Sequence, residues 1–186
     1  MSNPPIHIEE RGSYLRIPSA DQLPDELQAI LDGNPEERAM RASSLSPGHF
    51  LAFVGLAGRL MDPDDGSLTL EERELIAVVV SAENRCPTCL VNHTRALADL
   101  SGDVLRAQRI AVNYRSVGLS SREMALADFA ARLTAEPHTS GAAGVEDLRE
   151  VGLDDIAISH VVELVALFNY TNRISSGLGL HPSSPV

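Results

Sequence analysis

From Pro24 onward, apolar residues recur at three- and four-residue spacing, and no segment shows the two-residue alternation of a half-buried strand. The pattern predicts an all-α chain. Pro24-Asp25-Glu26 and Asn34-Pro35-Glu36 mark helix starts, with proline in the first turn and acids near the positive end of the helix dipole. Ser46-Pro47 opens another helix that runs through Phe50, Phe53, Val54 and Leu60, and Thr69 caps one that continues through Ala82. Helical patterns follow at about residues 102–115, 120–135, 145–151 and 154–176, divided by Gly118, the stretch from Pro137 to Gly144, and Gly152. Residues 1–22 carry Pro4, Pro5, Gly12 and Pro18 with no sustained period and read as an extended arm. The expected architecture is a helical bundle with that arm, and no internal repeat is evident.

Composition fits this picture. At 186 residues the chain suffices for a single domain over 1–186, with 44% hydrophobic and 22% charged residues. Acidic residues outnumber basic ones by 26 to 15, giving a net charge of −11, so nucleic acid is not an expected partner. The opening MSNPPIHIEERG has no charged-then-apolar leader pattern, and no apolar run approaches the roughly 18 residues of a membrane span. A cytoplasmic protein without membrane contact is expected. The acidic loop DPDDGS, Asp62 to Ser67, does not meet calcium-loop spacing, because Gly66 and Arg73 stand where oxygen ligands belong.

The chemistry concentrates in ENRCPTCLVNH, from Glu83 to His93, which holds both cysteines of the chain. Pro87 disfavours helical geometry at Cys86 and suits a first helical position, so a helix should begin with Cys86 at or beside its cap. Cys89 then lies in the first turn, where backbone N–H groups and the dipole lower a thiol pKa. At 100° per residue Cys86, Cys89 and His93 share one stripe with Leu90, Leu97 and Leu100. The two-residue spacer permits a disulfide, and His93 can carry a proton near neutral pH. In TLEERELIAVVVSA, Glu74 sits on an apolar face with Ala77, Val78 and Ser81 and needs a partner. If the two helices pack antiparallel, His93 is that partner.

The run Glu74, eleven residues, Cys86-Pro87-Thr88-Cys89, three residues, His93 resembles the signature of the AhpD-like alkylhydroperoxidases in the carboxymuconolactone decarboxylase superfamily, especially those called peroxidase-related. Tyr14-Leu15-Arg16-Ile17-Pro18 and FNYTNRISSGLGL, Phe168 to Leu180, resemble that subgroup too. The resemblance implies an AhpD-like all-α fold that assembles into dimers, trimers or hexamers, a hexamer being favoured here. It implies a thiol peroxidase needing no organic cofactor or metal, with an organic hydroperoxide as substrate and an external dithiol as reductant. In that scheme Cys89 attacks the peroxide, Cys86 resolves the sulfenic acid, and Glu74 with His93 relays protons. Well-characterised AhpD proteins have a histidine between the cysteines; here Thr88 stands there, and its hydroxyl is no base near pH 7.

Other readings compete. The cysteines could be small buried hydrophobes, or could join His93 and Glu74 around zinc. The same scaffold could serve as a thiol redox sensor or as a lactone decarboxylase. His160 reads as a satisfied core histidine, and His7, His49, His138 and His181 as residues without a site role. Asn169, Tyr170, Asn172 and Arg173 form a polar cluster expected at a subunit interface rather than a substrate mouth.

Overall fold

The computed structural model describes residues 12–32, 34, 37–139 and 141–181. Among them are nine α-helices and two single 3-10 turns, with no strand. In chain order the helices are α1 (Asp25–Leu31), α2 (Glu37–Ser43), α3 (Pro47–Leu60), α4 (Leu70–Glu83), α5 (Pro87–Ser101), α6 (Val104–Asn113), α7 (Ser121–Ala135), α8 (Gly141–Glu150) and α9 (Asp155–Leu178). None of the described helices is long and apolar enough to cross a membrane. Pro35 and Glu36 of the expected start, and the first half of the arm, fall outside the described residues.

The centre of the molecule is α4. Every residue from Arg73 to Ser81 on it is buried, because α5, α7 and α9 pack around it. A helix apolar on all sides has no solvent face to keep. Its start is fixed by a reciprocal cap: Glu72 N–H donates to the Thr69 hydroxyl at 3.1 Å, and Thr69 N–H to the Glu72 carboxylate at 2.9 Å.

The α4 to α5 junction is tight. Asn84 N–H bonds to the Val80 carbonyl and Cys86 N–H to the Ser81 carbonyl, each at 3.0 Å. Arg85 between them has φ +52°, a left-handed turn that glycine usually takes. This reversal leaves Cys86 as the N-cap of α5 with Pro87 in the first turn, as the sequence predicts. The two helices can then run antiparallel in contact.

A smaller cluster of Leu23, Leu27, Leu31 and Phe50 joins α1 to α3 and meets the main core through Phe53. The visible arm ends here as well: Tyr14 N–H and the Ser13 hydroxyl both donate to the Leu178 carbonyl, at 2.8 and 3.0 Å. Gly179, at φ +64°, lies under the Tyr14 ring, where an added Cβ would sit 2.6 Å from the ring. The two outlying segments that resemble the peroxidase-related subgroup are thus packed on one another.

One boundary differs from expectation. Pro137 to Gly144 was read as loop, but α8 already begins at Gly141. Gly144 is helical because a Cβ there would come within 3.1 Å of the Phe129 ring, so its missing side chain serves packing rather than a turn.

Candidate active site

Glu74 and His93 meet across the α4–α5 contact, with His93 Nδ1 2.8 Å from Glu74 Oε2. Two full turns of α5 and an antiparallel crossing bring together residues 19 apart in sequence. The carboxylate fixes the ring so that Nε2 is left for other partners. Phe168 of α9 stands edge-on to the imidazole, with centroids 4.9 Å apart.

Both cysteines are free thiols and both are buried, Cys86 to 1% and Cys89 to 7% exposure. Cys86 is thus buried although it caps the helix. Cys89 Sγ lies 3.4 Å from the Ser175 hydroxyl of α9, with Asn172 also within reach of the sulfur. The two sulfurs share one proton, and the hydrogen bond between them favours the charge on Cys86. Cys86 is drawn down to about 6, chiefly because the Cys89 thiol donates to it, and, against the cost of burial, because the Cys89 and Thr88 N–H groups and the Ser176 hydroxyl also serve it. Cys89 is pushed well above the ordinary thiol range, first by giving its proton to that hydrogen bond and then by burial. A first-turn position alone suggested the reverse. The N-cap sulfur wins because the free N–H groups of the turn point back toward it.

A cavity of about 590 Å³ opens over this group. Cys89, His93 and Glu74 line it, together with Thr88 and Ser175; Cys86 does not. Its walls come from α2, α3 and α9, and Leu15 of the arm closes part of one side. Thr88, in place of the histidine of well-characterised AhpD proteins, donates to the Leu180 carbonyl at 2.5 Å. Its hydroxyl ties the end of the chain over the cysteine turn.

Several contributors were not legible as such. His49 is exposed and lines the cavity mouth, although its first-turn position gave no hint of it. Ser175 and Ser176 approach the sulfurs from a helix nearly ninety residues away. Of the polar cluster on α9, the two asparagines turn inward, while Tyr170 and Arg173 are exposed. Asn172 is 1% exposed and bonds Ser81 at 3.2 Å and Asn84 at 3.0 Å. Asn169 takes a bond from Asn84 at 2.9 Å and gives one to Thr134 at 3.0 Å. These amides pin α9 to α4 and α7 inside the molecule, while Tyr170 turns to the cavity. Among the described residues, no three His, Cys, Asp or Glu side chains converge in a way that could hold a metal ion.

Comparison with known proteins bears on this geometry. Residues 47–132 match the model of the carboxymuconolactone decarboxylase family. A peroxidase-related protein of Silicibacter sp. TM1040 is 33% identical, with 98% of this chain and 95% of that one covered at a TM-score of 0.83. The chain is an AhpD-like member of the carboxymuconolactone decarboxylase family. A second AhpD-like structure, described as an alkylhydroperoxidase AhpD core and peroxidase-related protein from Ralstonia eutropha JMP134, is 29% identical over 97% of this chain and 94% of that one, also at 0.83. The debrominase Bmp8 has the same fold at 15% identity, covering 85% of this chain and 86% of its own, with a TM-score of 0.72. Among curated proteins, none matches the sequence. The AhpD-like fold thus carries more than one chemistry, and the side chains must decide which applies here.

Proposed function

We propose that this AhpD-like protein is a dithiol peroxidase that reduces organic hydroperoxides. The observation that carries the reading is that Cys89, His93 and Glu74 line one cavity, while Cys86 lies outside its lining and in hydrogen-bond contact with Cys89. In the proposed cycle the Cys89 proton passes to Cys86, and the Cys89 thiolate attacks the terminal oxygen of the hydroperoxide. An S–O bond forms and the O–O bond breaks. The departing alkoxide takes a proton from His93, whose positive charge Glu74 stabilises at 2.8 Å. Cys86 then gives that proton to the now neutral His93 and, as thiolate, attacks the sulfenic sulfur: an S–S bond forms, the S–O bond breaks, and the leaving hydroxide takes the proton from His93 and departs as water. The balance is one hydroperoxide and two thiols converted to alcohol, water and disulfide. An external dithiol restores the thiols by exchange.

The same reading assigns the protein to the cytoplasm and to a homo-oligomer, a hexamer before a dimer or trimer. No organic cofactor or metal takes part in it. Steady-state turnover of several hydroperoxides with several dithiol reductants, paired with thiol counting, tests it: turnover should require both cysteines, and two thiols should disappear together. Absence of turnover with every reductant, or overoxidation of each cysteine with no disulfide at any stage, refutes it.

A second reading is favoured by one observation, the burial of both sulfurs to 7% exposure or less. A reductant must reach them through the cavity or past the Thr88 tie. A peroxide sensor that forms the disulfide once and is reset slowly needs no such access. The two readings separate on whether oxidised protein is re-reduced within the time of one turnover.

A further inference from the structure

The cavity over Cys89 is far larger than hydrogen peroxide requires. At about 590 Å³ it falls in the range of sites that bury a drug-sized molecule, whereas one water takes up about 30 Å³. Its walls are apolar: Met40, Phe50, Phe53 and Met61 on one side face Leu167 and Ile174 of α9 on the other. Polar groups gather at the two ends. Cys89, His93 and Glu74 form the floor, and exposed His49, Ser46 and Tyr170 stand at the mouth.

The charge of this lining is one-sided. The chain has no lysine, and among the described residues no arginine lines the cavity, so no permanently charged cation of those residues faces its interior. The fixed charge is the Glu74 carboxylate. When His93 carries a proton it balances Glu74 and leaves no surplus positive charge for a second anion. Around it lies a protein of net charge −11. A carboxylate carried between these walls would lose water and meet no permanently charged cation among the described residues, which apolar surroundings penalise strongly.

We infer that the site selects bulky, neutral, apolar hydroperoxides and rejects those whose skeleton carries a carboxylate between the apolar walls. This inference rests on the peroxidase reading for the reaction but on the cavity alone for the choice of skeleton. The peroxide group lies at the floor against Cys89 and His93, and the hydrocarbon fills the space between α3 and α9. Hydrogen peroxide, with nothing to fill the walls, gains only the floor contacts. Apolar burial at roughly 25 cal/mol per Å² is then what separates a good substrate from a poor one.

The test uses cumene hydroperoxide, its para-carboxylic acid, the methyl ester of that acid, and hydrogen peroxide, with kcat/KM measured for the intact protein. The ester should exceed the carboxylate at least about tenfold, and cumene hydroperoxide should exceed hydrogen peroxide by about a hundredfold. His49→Arg, at the exposed mouth, should narrow the ester-to-acid ratio severalfold by supplying the missing cation. In parallel, calorimetry measures binding of the three corresponding alcohols, which cannot be reduced. Binding of cumyl alcohol and the ester in preference to the acid, without any peroxide turnover, upholds the cavity inference and removes the peroxidase reading. Turnover that is equal for acid and ester, or fastest with hydrogen peroxide, keeps the peroxidase reading and overturns the inference. Binding of the acid as tight as that of the ester overturns it as well.

Discussion

Arg73 and Glu74 are neighbours on α4, both are charged and both are buried, to 0% and 8% exposure. One turns toward the loop before α4, the other toward α5. Arg73 has no carboxylate partner in its contacts. It donates to the carbonyls of Leu60 at 2.9 Å, Asp62 at 2.6 Å and Leu68 at 3.1 Å, and to that of Asp65. Four of the five guanidinium donors go to folding the DPDDGS loop against the core. Asp65 and Ser67 of the same loop hold His160, at 3.1 and 2.5 Å, so this side also owns a histidine–carboxylate pair. Glu74 instead meets a single histidine and borders a cavity with a nucleophile beside it. Pairing chemistry is common to both sides. What separates them is that Arg73 spends four of its five donors on backbone carbonyls, while Glu74 faces a cavity with a nucleophile beside it.

The sharpest break between the two sides is at sulfur. Cys89→Ser should abolish reaction with hydroperoxide and leave stability within about 1 kcal/mol, since one small buried atom replaces another. Cys86→Ser should still react once and stop at a sulfenic acid that a trapping reagent labels. The single-turnover rate of the unaltered protein should rise with pH through about 6, because the folded-state value of Cys86 lies below that of a free thiol: the charge is present above that pH and lost as pH falls through it. Cys86→Ser should remove that limb. Rapid-mixing kinetics across pH decide it, and a reactive Cys89→Ser protein would mean that the roles of the sulfurs are exchanged.

On the other side the large effect is on folding. Arg73→Met fits the space roughly but strands four carbonyls, and should cost on the order of 3–5 kcal/mol in denaturant unfolding. A loss under about 1 kcal/mol would show that the loop does not depend on the guanidinium.

Glu74→Gln and His93→Gln should do the opposite, lowering the single-turnover rate by roughly a hundredfold with little change in unfolding. The double variant should be no slower than either single one, because the pair acts as a unit. Additive losses would make Glu74 a packing residue and place it with Arg73.

Much of the Glu74 side was legible because it is local. A cap at Cys86, a stripe from Cys89 to His93 and a carboxylate on an apolar helix all follow from helical spacing, and one antiparallel crossing joins them. The Arg73 side was not, because its partners are backbone carbonyls, which leave no mark in a sequence. Nor were the cavity walls: Phe50, Phe53 and Met40 announce burial by their spacing without naming the helix they face. Gly144 was read as loop because a glycine kept for contact with Phe129 looks, in sequence, like one kept for a turn. The lowering of the Cys86 thiol was not legible for a related reason. Ser176 and the close approach of one thiol to the other exist only after α9 has packed.

The smallest effect is the most discriminating. His160 and His93 each face a carboxylate and each touch a second group, so a sequence search for such pairs would score them alike. His160 Nε2 meets an Asp65 side chain that is 38% exposed, and partly exposed pairs of this kind contribute about 1 kcal/mol or less. Its bond to Ser67 can be remade by an amide of similar reach. His160→Gln should therefore lower unfolding stability by under about 1 kcal/mol and leave single-turnover rates as they were, since neither residue lines the cavity. The paired measurement is unfolding and peroxide reaction for His160→Gln and His93→Gln side by side. If His160→Gln slowed the reaction as much as His93→Gln does, the two buried pairs would belong to one coupled unit through α9, and the division between a structural and a chemical face of α4 would fail.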